Sequence, residues 1–321
     1  MKVIRIVGAG QLGSRHLQAL QAVETPLDIE VIDPSEASLA TAKERFEAVA
    51  GHANHRIRYS KEFAQSGATD IAIIATNADH RRSAVESLLA ATEVRHLILE
   101  KLLFVERQDY ETAGQLMERH GVSAWVNCPM RIMPCYEEIR QAFGGRPIQY
   151  RVTGSQFGLV TNAIHYLDHV AYLTGCDSFT VDTSGLSKEV IAAKRRGFLE
   201  LNGTLAANFG DGSRCDITCY AQGDAPVLVE IFNETQRFIV MESEGRMLHA
   251  ASDRQWKWQE LEAVIPFQSQ MTASVVNALL SGGSCNLTDY RSSVEHHLSL
   301  LDPLLAVVQQ TVPETANFPF T

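Results

Sequence analysis

Nowhere does this chain carry an apolar run near the roughly 20 residues that a bilayer-spanning helix requires, so the pattern gives no sign of a membrane span. Positive charge is also short. The 28 Lys and Arg residues face 38 Asp and Glu, a formal net charge of -10, which argues against nucleic acid or an anionic membrane as partner. Paired cysteines are missing too: Cys128, Cys135, Cys176, Cys215, Cys219 and Cys285 are scattered. Cys215 and Cys219 share one face of a predicted strand, but no second close pair or histidine cluster of zinc-site spacing accompanies them. They read as buried free thiols of a reducing compartment, and no metal is expected. Internal repeats and low-complexity stretches are lacking as well. The first residues already form a strand pattern rather than a signal peptide, so the expected location is cytoplasmic.

What is present is ordinary globular composition, 45% hydrophobic and 21% charged over 321 residues, long enough for two domains with ample core. The chain is organised around its first thirty-odd residues. Val3 to Val7 reads VIRIV, apolar apart from Arg5, which suits a strand buried in a parallel sheet. Gly8, Gly10 and Gly13 follow in the spacing G-x-G-x-x-G, with Gln11 and Leu12 between them. Such glycines serve a tight turn, close backbone approach to a pyrophosphate, and close packing of helix on strand. A helix beginning there aims free N–H groups and the positive end of its dipole at the phosphates.

Asp33 closes the second strand 20 residues after Gly13. A carboxylate there accepts hydrogen bonds from adenosine ribose hydroxyls and repels a 2′-phosphate. No arginine follows in Asp33-Pro34-Ser35-Glu36, so NAD is expected as cofactor rather than NADP. The same position also suits an aspartate capping a helix with Pro34 behind it.

Further along, Glu36–Val49 is helical in composition and Arg56–Tyr59 can make a short strand. Asp70–Ala75 is a buried-strand run ending in Thr76-Asn77, and His80–Ala91 is helical. Arg95–Glu100 forms the next strand and ends at Lys101. Glu106–Arg119 is a helix and Val122–Val126 a strand. This alternation implies a doubly wound parallel sheet, whose ligands bind at the carboxyl ends of its strands. The pattern changes near Asn127. Ile148–Phe157 alternates like a strand, Ala163–Leu173 is helical, and Phe179 to about Trp258 has the texture of a mostly antiparallel sheet. Gln268–Leu280 and Asp289–Gln310 close the chain as helices. The fold expected is α/β: a Rossmann domain over 1–126, then an α+β domain over 127–321. The open sheet of the second domain would serve substrate binding and a homodimer or homotetramer contact.

Several stretches resemble the glucose–fructose oxidoreductase / inositol dehydrogenase / MocA family across nearly the whole chain. Ala75-Thr76-Asn77-Ala78-Asp79-His80 resembles its A-T-P/N-x-x-x-H loop. Glu100-Lys101-Leu102 resembles its E-K-P element, and Met130-Arg131-Ile132-Met133-Pro134 its R-x-x-P crossing. Thr161-Asn162-Ala163-Ile164-His165-Tyr166-Leu167-Asp168, ending at Leu173-Thr174-Gly175, resembles its D-x-G-x-H-x-x-D…L-x-G helix. The resemblance implies that Thr76, Asn77, His80, Glu100 and Lys101 join Gly8, Gly10, Gln11, Leu12, Gly13 and Asp33 in binding the dinucleotide. Three departures stand out. Leu102 replaces proline, which argues against the family's cis peptide there. Thr161 replaces an aspartate, and Ala163 replaces glycine.

Oxidising a secondary alcohol with NAD needs a base for the hydroxyl proton and a donor or positive charge near the carbonyl oxygen that forms. Lys101, directly after a buried strand at the functional sheet edge, is the candidate for the second role. His165 is the candidate base; Asp168 or His169, and Tyr172, share its helix face. Thr161, Asn162 and Arg131 are candidates for substrate contacts, although Arg131 equally suits a structural part. The expected function is an NAD-dependent dehydrogenase of a sugar, cyclitol or nucleotide-sugar. A non-catalytic cofactor-binding regulator or scaffold is the alternative, kept open by Thr161, together with an imine or biliverdin-type reductase.

Overall fold

The computed structural model describes residues 1–49, 51, 54–65 and 67–321. The chain opens with β1 (Lys2–Val7), α1 (Gln11–Ala19), β2 (Leu27–Ile32), α2 (Glu36–Glu47) and β3 (Arg56–Ser60). It continues through β4 (Thr69–Ile74), α3 (Ala78–Ala91), β5 (Val94–Leu99), α4 (Arg107–Arg119) and β6 (Ser123–Val126). After the turn Pro129–Ile132 come α5 (Pro134–Phe143), β7 (Gln149–Ser155) and α6 (Leu159–Thr174). Then follow β8 (Phe179–Asp182), β9 (Leu186–Ala192), β10 (Leu199–Phe209), β11 (Arg214–Tyr220) and β12 (Leu228–Phe232). The chain ends with β13 (Gln236–Met241), β14 (Arg246–Ala251), β15 (Gln259–Glu262), α7 (Gln268–Gly282), β16 (Thr288–Asp289) and α8 (Tyr290–Gln309).

Contacts divide the chain into two compact units, Met1–Asn127 with Pro266–Arg291, and Cys128–Ile265 with Ser292–Thr321. Segment 266–291 belongs to the first unit, where Met271, Val275, Val276 and Leu279 of α7 are buried.

The first unit is a doubly wound sheet in the order β16-β6-β5-β4-β1-β2-β3, parallel except for β16. Ile4, Ile6, Ile29, Val31, Ile71, Ile73, Leu97 and Leu99 are buried along its central strands, as a sheet covered on both faces demands. Arg5 is buried with them because Glu30 on the adjacent strand accepts from its Nε at 2.8 Å, and Thr92 accepts from its Nη1 at 3.2 Å. The strand order reverses between β1 and β4, the switch point where such sheets bind ligands.

The second unit is built on a sheet ordered β15-β14-β13-β12-β7-β11-β10-β8, with β9 also paired to β10. Only β7 and β11 run parallel; the other paired neighbours are antiparallel. Helix α6 packs against β10 and β11. Cys215 and Cys219 are buried on one face of β11 as free thiols. Helix α6 begins four residues earlier than its apolar periodicity suggests, and Glu200, discussed below, supplies the reason.

Candidate dinucleotide and substrate sites

The glycine turn is held by packing. Gly8 has φ +92, and a Cβ there would lie 2.9 Å from the carbonyl carbon of Ala75, so no other residue fits the approach of the two loops at the switch point. A Cβ on Gly13 would lie 1.8 Å from the Gly8 carbonyl oxygen, which forces α1 and the turn together. Gly10 is different: a Cβ there meets nothing within 4 Å, so its bare backbone lines open space. The first-turn N–H groups at Gln11, Leu12 and Gly13 have no intrahelical acceptor in an α-helix, and α1 begins at Gln11.

Asp33 is fixed at the same edge. Its Oδ2 accepts from the Ala9 N–H at 2.7 Å and its Oδ1 from the Ser35 N–H at 2.8 Å. The helix-cap role falls instead to Ser35, whose side chain accepts from the Ser38 N–H. Gly8, Gly10, Asp33, Thr76, Asn77 and His80 line one cavity of about 590 Å³, together with Pro34, Lys61 and Ser83. Bare backbone, a helix N-terminus and a carboxylate at its far side form a donor and acceptor set that fits a dinucleotide.

Glu100 and Lys101 sit at the end of β5 and face different environments. Glu100, expected at the cofactor, is instead only 3% exposed. Its Oε1 lies 2.8 Å from His16 Nε2 and accepts from Asn127 Nδ2 at 2.6 Å. Gln268 accepts from the same Asn127 amide, and Thr272 lies 2.8 Å from His16 Nδ1. Burial pushes the Glu100 carboxyl up, but the His16 and Asn127 hydrogen bonds and the charge of Lys101 outweigh it and hold it at about 2. A buried carboxylate thus anchors the strand end from which half-buried Lys101 emerges. The Lys101–Leu102 peptide is cis, contrary to the expectation raised by the missing proline. Fully buried Arg81 donates to the carbonyls of Thr76, Leu102 and Leu103, tying the two loops of the sheet edge to each other. Arg81 and His16 escaped the sequence reading. Arg81 left a trace, because it falls on the face of α3 that also buries Ala78, Ala84, Val85 and Leu88.

In the second unit, α6 carries Thr161, Asn162 and His165. Gly158 provides no side-chain cap; the cap comes from Glu200 on β10. Its Oε1 accepts from the N–H groups of Val160 and Leu201, at 2.6 and 3.0 Å. Its Oε2 accepts from the Thr161 N–H at 3.3 Å and from Thr161 Oγ1 at 2.9 Å. A carboxylate at a helix N-terminus complements the exposed N–H groups and the dipole. Thr161 therefore donates to a carboxylate that stands beside it, and local sequence cannot show a partner 39 residues away. Thr161, Asn162, Glu200 and Asn202 line a cavity of about 420 Å³.

His165 is half-buried one helical turn after Thr161. His169 is a core residue: burial pushes its imidazole down to about 3, and its Nδ1 lies 2.9 Å from the Tyr150 hydroxyl. Arg131, expected among the substrate contacts, instead donates to Asp168 Oδ2 at 2.7 Å and Oδ1 at 3.0 Å. His296 lies 3.5 Å from Asp168 and 3.5 Å from Asp177. Burial pushes the Asp168 carboxyl up, but His296 and Arg131 outweigh it and bring it to about 2. Burial pushes His296 down, yet the two carboxylates raise it to about 9. This cluster braces α6 and places a charged network under it.

Among the described residues no group of three His, Cys, Asp or Glu side chains could hold a metal ion. None of the described helices is long and apolar enough to cross a membrane.

The sheet order, glycine turn and cavity define a Rossmann-type dinucleotide-binding protein with a second, mostly antiparallel α+β unit. Residues 2–128 match the model described as an oxidoreductase family with an NAD-binding Rossmann fold. No functionally curated protein matches the sequence. Solved structures share the fold along nearly the full length. One is an oxidoreductase from Agrobacterium radiobacter in complex with NAD+, L-tartaric acid and magnesium: TM-score 0.73, 15% identity, 93% of this chain and 94% of that one. UDP-N-acetylglucosamine 3-dehydrogenase GnnA from Acidithiobacillus ferrooxidans has TM-score 0.67 at 14% identity, with 98% of each chain covered. The super-repressor mutant of Gal80p from Saccharomyces cerevisiae has TM-score 0.70 at 11% identity, covering 97% of this chain and 96% of that one.

Proposed function

We propose that this protein is an NAD-dependent dehydrogenase acting on a secondary alcohol of a sugar, cyclitol or nucleotide-sugar. The observation that carries the cofactor half is the Asp33 carboxylate, held by Ala9 and Ser35 at the wall of the dinucleotide cavity. A 2′-phosphate would meet that charge, whereas ribose hydroxyls can donate to it. Lys61 lines the same cavity but is paired with Glu36, so the cation nearest to favouring NADP already has a counter-ion. Bound NAD supplies a hydride acceptor. The chain's part is then to polarise the alcohol oxygen, assigned to Lys101, and to take the hydroxyl proton, assigned to His165. The second unit's cavity suits a polyol because Thr161, Asn162 and Asn202 offer hydroxyl and amide groups on its wall. Dehydrogenases of related fold acting on UDP-N-acetylglucosamine support the same substrate class.

One observation favours a second reading. Thr161 donates to Glu200 and cannot serve as a carboxylate base, and the same fold occurs in a Gal80p repressor; a cofactor-binding regulator is the competing function. The test is a panel of free and nucleotide-linked sugars and cyclitols, each with NAD and with NADP, following reduced-cofactor absorbance. Reduction of NAD by at least one polyol, faster than of NADP, is expected. NAD binding without reduction across the panel would favour the regulator.

A further inference from the structure

Glu100 and its partners close a ring of hydrogen bonds inside the first unit. Asn127 Nδ2 donates to Glu100 Oε1 at 2.6 Å and to Gln268 Oε1 at 2.9 Å. Gln268 Nε2 donates to Thr272 Oγ1 at 3.0 Å, and Thr272 Oγ1 lies 2.8 Å from His16 Nδ1. His16 Nε2, 2.8 Å from Glu100 Oε1, completes the ring. His16, Glu100, Asn127 and Thr272 are all buried. With the imidazole neutral every member is satisfied: Nε2 donates to the carboxylate and Nδ1 accepts from the Thr272 hydroxyl. The groups that face Glu100 from α1, β6 and α7 are then uncharged, and the carboxylate is the ring's one formal charge. A buried charge is costly without an opposite charge beside it.

Lys101 follows Glu100 directly and is half-buried. Its charge is among the causes that hold the Glu100 carboxyl down, and attraction between opposite charges favours both charged forms. Resting on the dehydrogenase reading above, we propose that Glu100 and His16 are positioning residues for Lys101: the carboxylate, immobilised by the ring, keeps the lysine an ammonium at the strand end. Lys101 then meets the alcohol oxygen as a hydrogen-bond donor and positive charge, and the alcohol proton passes to a different group. The ring also sets the place of this strand end. Helix α1 presents the first-turn N–H groups of Gln11, Leu12 and Gly13 and carries His16 one turn further on, so one helix registers both the phosphate turn and the lysine.

The test reads the Lys101 amine directly, in the full chain and without substrate. Brief labelling with limiting acetic anhydride is followed by peptide mass spectrometry, with acetylation of Lys101 compared to that of exposed Lys257. An ammonium does not acylate, so slow labelling reports the charged form. Glu100→Gln keeps the shape and removes the charge; Lys101 should then label about tenfold or more faster. His16→Leu keeps bulk and removes the tether on the carboxylate, and should speed labelling by a smaller factor. Val276→Ala loosens the packing of α7 without touching the ring and should leave the rate unchanged. NADH fluorescence titration reports the fold of each variant. An unaltered rate in Glu100→Gln, or in His16→Leu should Glu100→Gln not fold, overturns the proposal. Equal acceleration in Val276→Ala also overturns it, because loosening rather than charge would be the cause. Failure of the dehydrogenase reading shows separately, as the expected labelling pattern with no reduction of NAD by any polyol.

Discussion

At Asp33 the carboxylate is already tied to the N–H groups of Ala9 and Ser35, so its position does not depend on the ligand. Replacing it with serine removes the charge while keeping a short polar side chain. NADH affinity should fall and NADPH affinity rise, narrowing the preference that calorimetry measures for the unmodified protein. Undiminished preference for NADH in Asp33→Ser would refute the assigned role. Lys101 and His165 make the complementary case. In the proposed site the phosphates meet the Gly8–Gly13 turn and the adenosine ribose meets Asp33, so neither substitution should disturb that end of the cofactor. Lys101→Met keeps aliphatic bulk and removes charge. Turnover should drop by about two orders of magnitude, the usual cost of losing stabilisation of a developing oxyanion. His165→Asn should lose a similar factor as general-base catalysis fails. NADH fluorescence titrations should give near-normal affinity for both. Wild-type turnover in both variants would mean that the chemistry lies elsewhere.

Helix α6 shows how an element can be stabilised by a residue far along the chain. Glu200 accepts from Val160, Thr161 and Leu201 backbone groups and from the Thr161 hydroxyl. An aspartate at 161 would set a second carboxylate against it. Thr161→Asp should therefore destabilise the fold by about 1–3 kcal/mol, the cost of a buried group left without its partner. The double variant Thr161→Asp, Glu200→Gln should recover part of that loss in urea denaturation. Additive losses in the cycle would show that the two positions are uncoupled. Two turns further along α6, Asp168 is held by Arg131 and His296. Because His296 is raised from 6.5 to about 9, its contribution is complete below pH 6.5 and disappears as pH climbs through 9. Asp168 is lowered from 3.8 to about 2, so its contribution is complete above pH 3.8 and disappears as pH falls toward 2. The shift at His296 corresponds to on the order of 3 kcal/mol. Unfolding free energy should decline from pH 6.5 to 9, and His296→Gln should flatten that decline. An equal slope in both proteins would place the pH dependence on other groups.

Over the whole molecule, the first unit is built from two separate stretches of chain. Segment 266–291 returns to the first unit, where α7 contributes buried Met271, Val276 and Leu279, and where Thr272 and Gln268 join the buried network of His16, Glu100 and Asn127. A fragment of residues 1–127 would lose that apolar cover and expose a buried carboxylate network to water. It should unfold at markedly lower urea than the intact chain and bind NADH weakly or not at all. A fragment as stable as the intact chain would show that α7 is dispensable to the dinucleotide fold.

The parallel sheet, the glycine turn and the placement of Asp33 were legible in residues 2–34, because strand, turn and helix there are set by local apolar pattern and by steric needs of single glycines. The same holds for the edge carrying Thr76, Asn77, Glu100 and Lys101, since buried parallel strands are near-continuous apolar runs that show where they stop. Local order also revealed the antiparallel texture of the second half. What it could not show was which side chains meet across the chain. Glu100 is a buried anchor on which His16 and Asn127 converge. Arg131 was committed to Asp168, and Thr161 acquired the carboxylate of Glu200. Each of these outcomes depends on the desolvation of a charged group and the arrival of a partner from a distant segment. Burial makes such a pairing necessary, and only the tertiary structure decides which partner arrives.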